Sequence, residues 1–362
     1  MGRQRDAARP SRRAPQATAP GRVWIGAVRV TVLGAGAWGT TVASLAATVC
    51  ATRLWALEPQ VVAAIRERHE NTPYLAGFAL PDALEVTADF AEALDGAELV
   101  VVAVPSRFLR NVVARAAPWI PPRCLVLSVA KGIEVGSGKR MTEVLSEALP
   151  EHDPNSIGVL SGPNLATEVM AGHPSATCVA FVDTECADTV QHLLMSDRLR
   201  IYTSSDVAGC EIGGAVKNVI AIAAGVADGL GYGMNTKAAL ITRGLAELSR
   251  LGVSVGGHPL TFLGLAGNGD LIATCSSQRS RNHYVGEQLA QGRPIGDILA
   301  GMTSVAEGVE TASGTLRLAR RQGVVMPISE TVGDLLAGRL TADEVVLRLM
   351  RRQPRSELDG LL

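Results

Sequence analysis

The sequence predicts an α/β protein in which an N-terminal parallel-sheet domain is followed by an all-α C-terminal domain. Three observations carry that prediction. Short, β-branched, unbroken apolar segments alternate with helical stretches as far as Leu160, the rhythm of strand–helix–strand units. A G-x-G-x-x-G motif follows directly on the first of those segments. Beyond Asp206 the strand signals disappear and long Ala-, Ile- and Val-rich helical stretches take over.

The elements follow in order. Residues 1–22 hold six Arg, one Asp and three prolines, Pro10, Pro15 and Pro20, with no apolar segment for a signal peptide. The prolines also break the amphipathic helix that a transit peptide needs. Residues 1–27 are therefore expected to form a disordered basic tail. Strands are expected over 28–33 (VRVTVL), 53–57, 99–104 (LVVVAV), 125–129 (LVLSV) and 157–160 (IGVL). Helices are expected over 40–47, 60–70, 88–94, 107–116 and 140–149. The domain change falls near residues 202–206, giving a first domain of 28–205 and a second of 206–350. In the second, 207–227 is apolar all round and reads as a buried helix. Further helices are expected over 236–251, 280–291, 304–322, 328–337 and 342–350. Thr341 with Glu344 forms a capping box for the last, and Pro354 opens a frayed end over 351–362.

Composition excludes several classes of function. The 362 residues suffice for two domains, and 47% apolar content excludes a disordered chain. A net charge of −1 excludes a strongly cationic nucleic-acid binder; the charge divides into +5 over residues 1–22 and −6 over the rest. Six scattered cysteines without a CxxC pair argue against a disulfide framework or a zinc ribbon, and no metal site is expected. No apolar run approaches the ~18 residues of a membrane span.

Parallel sheets bind ligands beyond the carboxyl ends of their strands, so the loops after Leu33, Val104, Val129 and Leu160 are where chemistry is sought. The glycine motif has its required context of strand before and helix after, which identifies a Rossmann-type dinucleotide-binding domain. Gly34 allows a tight turn, Gly36 lets backbone approach a pyrophosphate, and Gly39 lets helix and strand pack closely. Glu58, 22 residues after Gly36, is the acid expected at the cofactor ribose. No Arg follows the second strand, which leans toward NAD over NADP without settling it.

Lysine usage points to the reacting groups. Of 34 basic residues only Lys131, Lys139, Lys217 and Lys237 are lysines. Arg holds its charge throughout the working pH range, whereas a desolvated Lys can exchange a proton. Lys131 follows a central strand and Lys217 lies on the apolar helix, where a cation is costly unless it faces a polar cleft or a partner. Lys139 sits in a Gly-Ser-Gly-Lys-Arg turn and reads as solvated, and Lys237 as a surface charge.

An ordered set of motifs resembles one family. Residues 34–39, Ala-Lys-Gly at 130–132, LSGPNLATE at 160–168, GGAVKN at 213–218, GNGDL at 267–271, SRN at 280–282 and EG at 307–308 are similar to the NAD(P)-dependent glycerol-3-phosphate dehydrogenases of the soluble bacterial type. The resemblance spans about residues 28–350. It implies reversible hydride transfer between NADH or NADPH and dihydroxyacetone phosphate, giving sn-glycerol 3-phosphate for glycerophospholipids, in a cytoplasmic homodimer. By resemblance Lys217 is the proton donor and acceptor, and Lys131, Asp270 and Thr274 share its site. Gly162 and Asn164 match substrate contacts, and Ser280, Arg281 and Asn282 match its phosphate end. Ala37, Trp38, Leu57, Lys131, Ala166, Arg281, Val305 and Glu307 match cofactor contacts. A related two-domain dehydrogenase of the β-hydroxyacid or ketopantoate type is the alternative enzyme, and a non-catalytic NAD(P)-binding sensor the alternative of another class. The Lys131, Lys217 and Asp270 set disfavours the sensor, and Arg281 favours a phosphorylated substrate. Thr48–Cys50, lacking Gly and Asn, departs from the family's usual turn, and the basic tail lies outside its pattern.

Overall fold

The central strands are mostly apolar because both faces of the sheet are covered. The computed structural model describes residues 28–302, 304–354 and 356. The expected tail, 1–27, lies outside the described residues, as do 355 and 357–362 of the expected frayed end. Eight strands, β1 (Arg29–Leu33), β2 (Ala51–Trp55), β3 (Leu84–Thr87), β4 (Leu99–Val102), β5 (Leu125–Ser128), β6 (Ile157–Ser161), β7 (Ser175–Ala180) and β8 (Leu199–Ser204), form one sheet in the order β3-β2-β1-β4-β5-β6-β7-β8. All neighbours run parallel except β6 and β7. The expected parallel sheet is thus mostly parallel, with β7 and β8 reversed as a pair.

Helices α1 (Ala37–Ala46), α2 (Pro59–Arg68), α3 (Phe90–Leu94), α4 (Ser106–Ala116), α5 (Met141–Ala148), α6 (Ala166–Met170) and α7 (Thr184–Leu194) accompany the strands. Period-two alternation sends Leu99 and Val101 of β4 into one core, with residues of α1, α2 and α7. Val100 and Val102 enter the other core, with residues of α3, α4 and α5.

After β8 the chain is helical: α8 (Val207–Gly229), α9 (Met234–Ser254), α10 (Asp270–Ser276), α11 (Arg281–Ala290), α12 (Ile295–Ala300), α13 (Glu307–Gln322), α14 (Pro327–Leu336) and α15 (Ala342–Met350). Contrary to the expectation that no apolar run nears the length of a membrane span, α8 is long and apolar enough to cross one, but 94% of its apolar window is buried in this fold, as befits a core helix. Its neighbours include α9, α10, α11 and α13. The Thr341–Glu344 capping box is present at α15.

Some boundaries move. β2 starts and ends two residues earlier than the pattern indicates, so Leu57 leaves the sheet and is 59% exposed. The first helix starts at Ala37 rather than residue 40, because it opens directly on the glycine turn. Strands β3, β7 and β8 and helices α6, α7, α10 and α12 are additions to the expected elements. β3 and β8 are the sheet's two edges, with exposed polar side chains and no continuous apolar signature.

The sheet half and the helical half are tied together at Glu211 of α8. Its buried carboxylate accepts hydrogen bonds from Arg140 Nη1 (2.6 Å), Thr142 N (2.8 Å) and Thr142 Oγ1 (2.6 Å) at the start of α5.

Candidate active site

The glycine turn between β1 and α1 has the shape that a dinucleotide needs. Gly34 holds φ at +114°, and a side chain there would press against the Ala103 carbonyl. A Cβ on Gly39 would overlap the Gly34 carbonyl oxygen. A Cβ on Gly36 would meet nothing within 4 Å, so this glycine faces open space at the helix N-terminus. No side chain caps α1 and its first turn carries no acid, so its N–H groups are available to an anion. Trp38 Nε1 is buried without a partner. These features fit a pyrophosphate-containing cofactor. Asn71 braces the turn by donating to Ala35 O (2.8 Å) and Thr40 Oγ1 (2.7 Å), a role that its place in a loop gives no reason to expect.

At the end of β2, Glu58 is the N-cap residue of α2 and accepts a hydrogen bond from the Tyr74 hydroxyl at 3.1 Å. Its carboxylate is thus restrained beside the glycine turn. Leu57 lies next to it, exposed.

The loops after β5 and β6, together with α8 and α10, assemble the reacting groups. Asp270, 1% exposed, opens α10 directly after a π-helical turn at Leu265–Gly269. Its Oδ2 accepts from Lys131 Nζ at 2.8 Å and its Oδ1 from Lys217 Nζ. Lys217 also donates to Thr274 Oγ1 at 2.6 Å, one turn along α10, and Lys131 to the Gly162 carbonyl at 2.7 Å. Gly162 adopts φ +150° with Thr177 packed close, which leaves no room for a side chain. Burial lowers the Lys217 ammonium to about 8, opposed by the Asp270 carboxylate and reinforced by Lys131. Five residues named from sequence, Lys131, Gly162, Lys217, Asp270 and Thr274, therefore form one hydrogen-bonded cluster.

A second chain of bonds leads from this cluster to α11 and α13. Asn218 donates to the Lys131 carbonyl at 3.2 Å and accepts from Asn282 Nδ2 at 2.9 Å, while Asn282 Oδ1 accepts from Gly308 N at 2.9 Å. Asn218 is the positioning residue that sequence reasoning missed; a second polar side chain beside Lys217 on an apolar helix was the available signal. Ser280 caps α11 by accepting from His283 N. Arg281, the first residue of α11, is exposed and has no hydrogen bond or ion pair among the described residues. Glu307, the first residue of α13, accepts from Ser106 N at 3.4 Å, and burial pushes its carboxyl above the ordinary range against the pull of Arg281, Lys131 and Lys217. Val305 precedes it and Ala166 opens α6; neither side chain can hydrogen-bond. Both amide atoms of Asn164 are buried without a partner, a polar position ready for a ligand.

The other lysines are engaged elsewhere. Lys139 pairs with Glu147, and Lys237 with Asp228 at 2.6 Å. Among the described residues one group, Asp228, His283 and Glu287, has metal-ligand side chains close together, and the Lys237 ammonium already neutralises Asp228 there.

The family model described as NAD-dependent glycerol-3-phosphate dehydrogenase N-terminus matches residues 29–187, and the corresponding C-terminus model matches 206–347. A Sphingopyxis alaskensis protein named as an NAD(P)+ glycerol-3-phosphate dehydrogenase is 49% identical over 324 residues, covering 90% of this chain and 96% of that one. A Thermobifida fusca protein of that name is 47% identical, covering 92% and 99%. The crystal structure of glycerol-3-phosphate dehydrogenase from Coxiella burnetii superposes with a TM-score of 0.86 at 33% identity, covering 90% of this chain and 99% of that chain. A ketopantoate reductase from Ralstonia eutropha shares the fold, with a TM-score of 0.57 at 16% identity. The ordered motifs, the mostly parallel sheet with its helical half, and relatives matched over nearly their whole length place this chain in the NAD(P)-dependent glycerol-3-phosphate dehydrogenase family.

Proposed function

We propose that this chain reversibly reduces dihydroxyacetone phosphate to sn-glycerol 3-phosphate, with Lys217 as the proton donor. The observation that carries the reading is the single Asp270 carboxylate holding two lysine ammoniums, one of them buried. The nicotinamide cofactor supplies the hydride when bound. Negative charge builds on the ketone oxygen as hydride reaches its carbon, and Lys217 Nζ stabilises that charge and gives up a proton. Asp270 and Thr274 aim Lys217, and Lys131 adds a second cation. The unpartnered Asn164 amide offers a polar contact to the substrate. Arg281, with the N-terminus of α11, suits the phosphate. Gly34, Gly36, Ala37, Trp38 and Gly39 would hold the pyrophosphate end of the cofactor, and Glu58 with Leu57 would lie at its ribose. Ala166, Val305 and Glu307 would complete the cofactor's surroundings.

The same reading takes residues 28–205 as the cofactor domain and 206–350 as the substrate and dimer-forming domain. It makes the protein a cytoplasmic homodimer that supplies glycerophospholipid synthesis. Purified protein mixed with dihydroxyacetone phosphate and NADH or NADPH should oxidise the nicotinamide, followed by its absorbance. No oxidation with either cofactor would overturn the reading, and the ratio of rates assigns the preferred one. Light scattering should return twice the chain mass.

A further inference from the structure

We propose that Cys178 and Cys210 form a reversible disulfide that slows turnover. Cys178 lies on β7 directly opposite Ser161 of β6, and Cys210 lies near the start of α8. Their sulfurs are 3.9 Å apart, with the Cys210 thiol donating to Cys178. Cys210 is fully buried and Cys178 half-buried, so a small oxidant reaches Cys178 first. The hydrogen bond from Cys210 lowers the Cys178 thiol from its ordinary value, against the opposing effect of burial. Cys210 is raised well above the ordinary range, because it keeps its proton in that bond and is buried. Cys178 is thus the sulfur that is oxidised and Cys210 the one that resolves it.

With hydrogen peroxide as oxidant, the Cys178 thiolate attacks the O–O bond and becomes a sulfenic acid. The hydroxide released takes a proton and leaves as water. The Cys210 sulfur then attacks the Cys178 sulfur, gives up its proton and expels a second water. Two thiols and one peroxide become one disulfide and two waters; both sulfurs are oxidised and the peroxide is reduced.

The bond draws together two elements that hold the lysines. A disulfide needs its sulfurs about 2.0 Å apart, so roughly 2 Å of separation must close. Cys210, Gly214 and Lys217 share one face of α8, at steps of four and three residues. A Cβ on Gly214 would lie 2.6 Å from the Ser161 hydroxyl, so helix and strand touch here and a pull on Cys210 is borne by both. Ser161 precedes Gly162, whose carbonyl holds Lys131. Closure therefore displaces Lys217 relative to Lys131. This consequence rests on the proposed roles of those lysines. Since misplacement of reacting groups by about 1 Å costs up to about 100-fold, a loss of about tenfold or more is expected.

The test treats the full chain with hydrogen peroxide, alkylates the remaining thiols, and reads digested peptides by mass spectrometry alongside the dehydrogenase assay. A peptide linking Cys178 to Cys210 should appear as turnover falls, and both effects should reverse with dithiothreitol. Cys178→Ser and Cys210→Ala should start at ordinary activity and resist peroxide; Cys178→Ala replaces whichever of them fails to fold. Absence of the linked peptide would overturn the proposal. So would a linked peptide with unchanged turnover, or equal inactivation of the variants. An untreated chain without activity on dihydroxyacetone phosphate would instead overturn the proposed reaction, and the linked peptide would still be read by mass.

Discussion

A lysine stripped of water gives up its proton more readily than one in solution. Lys217 is such a lysine, lowered to about 8 by burial while Asp270 holds part of its affinity for the proton. As the proposed proton donor, Lys217 acts in ketone reduction in its protonated form, so that rate should fall as pH rises through about 8, and the reverse oxidation should rise through the same range. Lys217→Arg keeps a cation that does not exchange its proton. Its kcat should drop by about 100-fold or more, and the pH dependence near that range should vanish. Asp270→Asn removes the carboxylate that supports the ammonium, so the fall in reduction rate should move to lower pH; a profile unchanged from the parent would disprove the coupling.

At the scale of elements, the glycine turn separates folding from binding. Gly39 packs on the Gly34 carbonyl and Gly36 faces open space. Gly39→Ala should destabilise the protein by about 3 kcal/mol, since overpacking at a backbone contact cannot relax through a side chain. Gly36→Ala should leave the unfolding midpoint nearly unchanged and raise the KM for the cofactor. Equal loss of stability in both would contradict this division. The same scale shows which elements a sequence discloses. β4, β5 and β6 are central, buried on both faces and plain as apolar runs. β8 alternates buried and exposed side chains at a sheet edge, and α6 is five residues long, so neither carries a strong periodic signal.

For the whole molecule, buried acids bind the parts together. Glu247 of α9 accepts from Ile328 N (2.6 Å) and Ser329 N (3.2 Å), capping α14 from another helix. Burial raises its carboxyl to about 7 from the ordinary 4.5, against the pull of those backbone N–H groups. The folded state therefore holds a proton that the unfolded state releases between those values. This contribution to stability is full below 4.5 and is lost as pH rises through about 7. The urea midpoint of Glu247→Gln should decline less than that of the parent between about pH 4 and about pH 8, which bracket this window. Identical declines would remove Glu247 as the cause. In the other tie, Glu211→Ala takes from the mostly buried Arg140 its shorter ion pair, leaving only Glu143, and should cost about 3 kcal/mol.

The sheet-then-helices plan, the glycine turn, and the standing of Lys131 and Lys217 apart from the arginines are legible in the chain alone. These follow from local properties: period, the backbone freedom of glycine, and the cost of a cation on an apolar helix. In the sequence, only resemblance to known enzymes joins Lys131 and Lys217 to Asp270. Folding brings the two ammoniums onto that carboxylate from 139 and 53 residues away. Folding also links Lys131 to Asn282 through Asn218, holds Glu58 against Tyr74, and faces Cys178 toward Cys210. Such pairings depend on where strand order and helix packing bring distant segments together, and no local pattern in the chain encodes that distance.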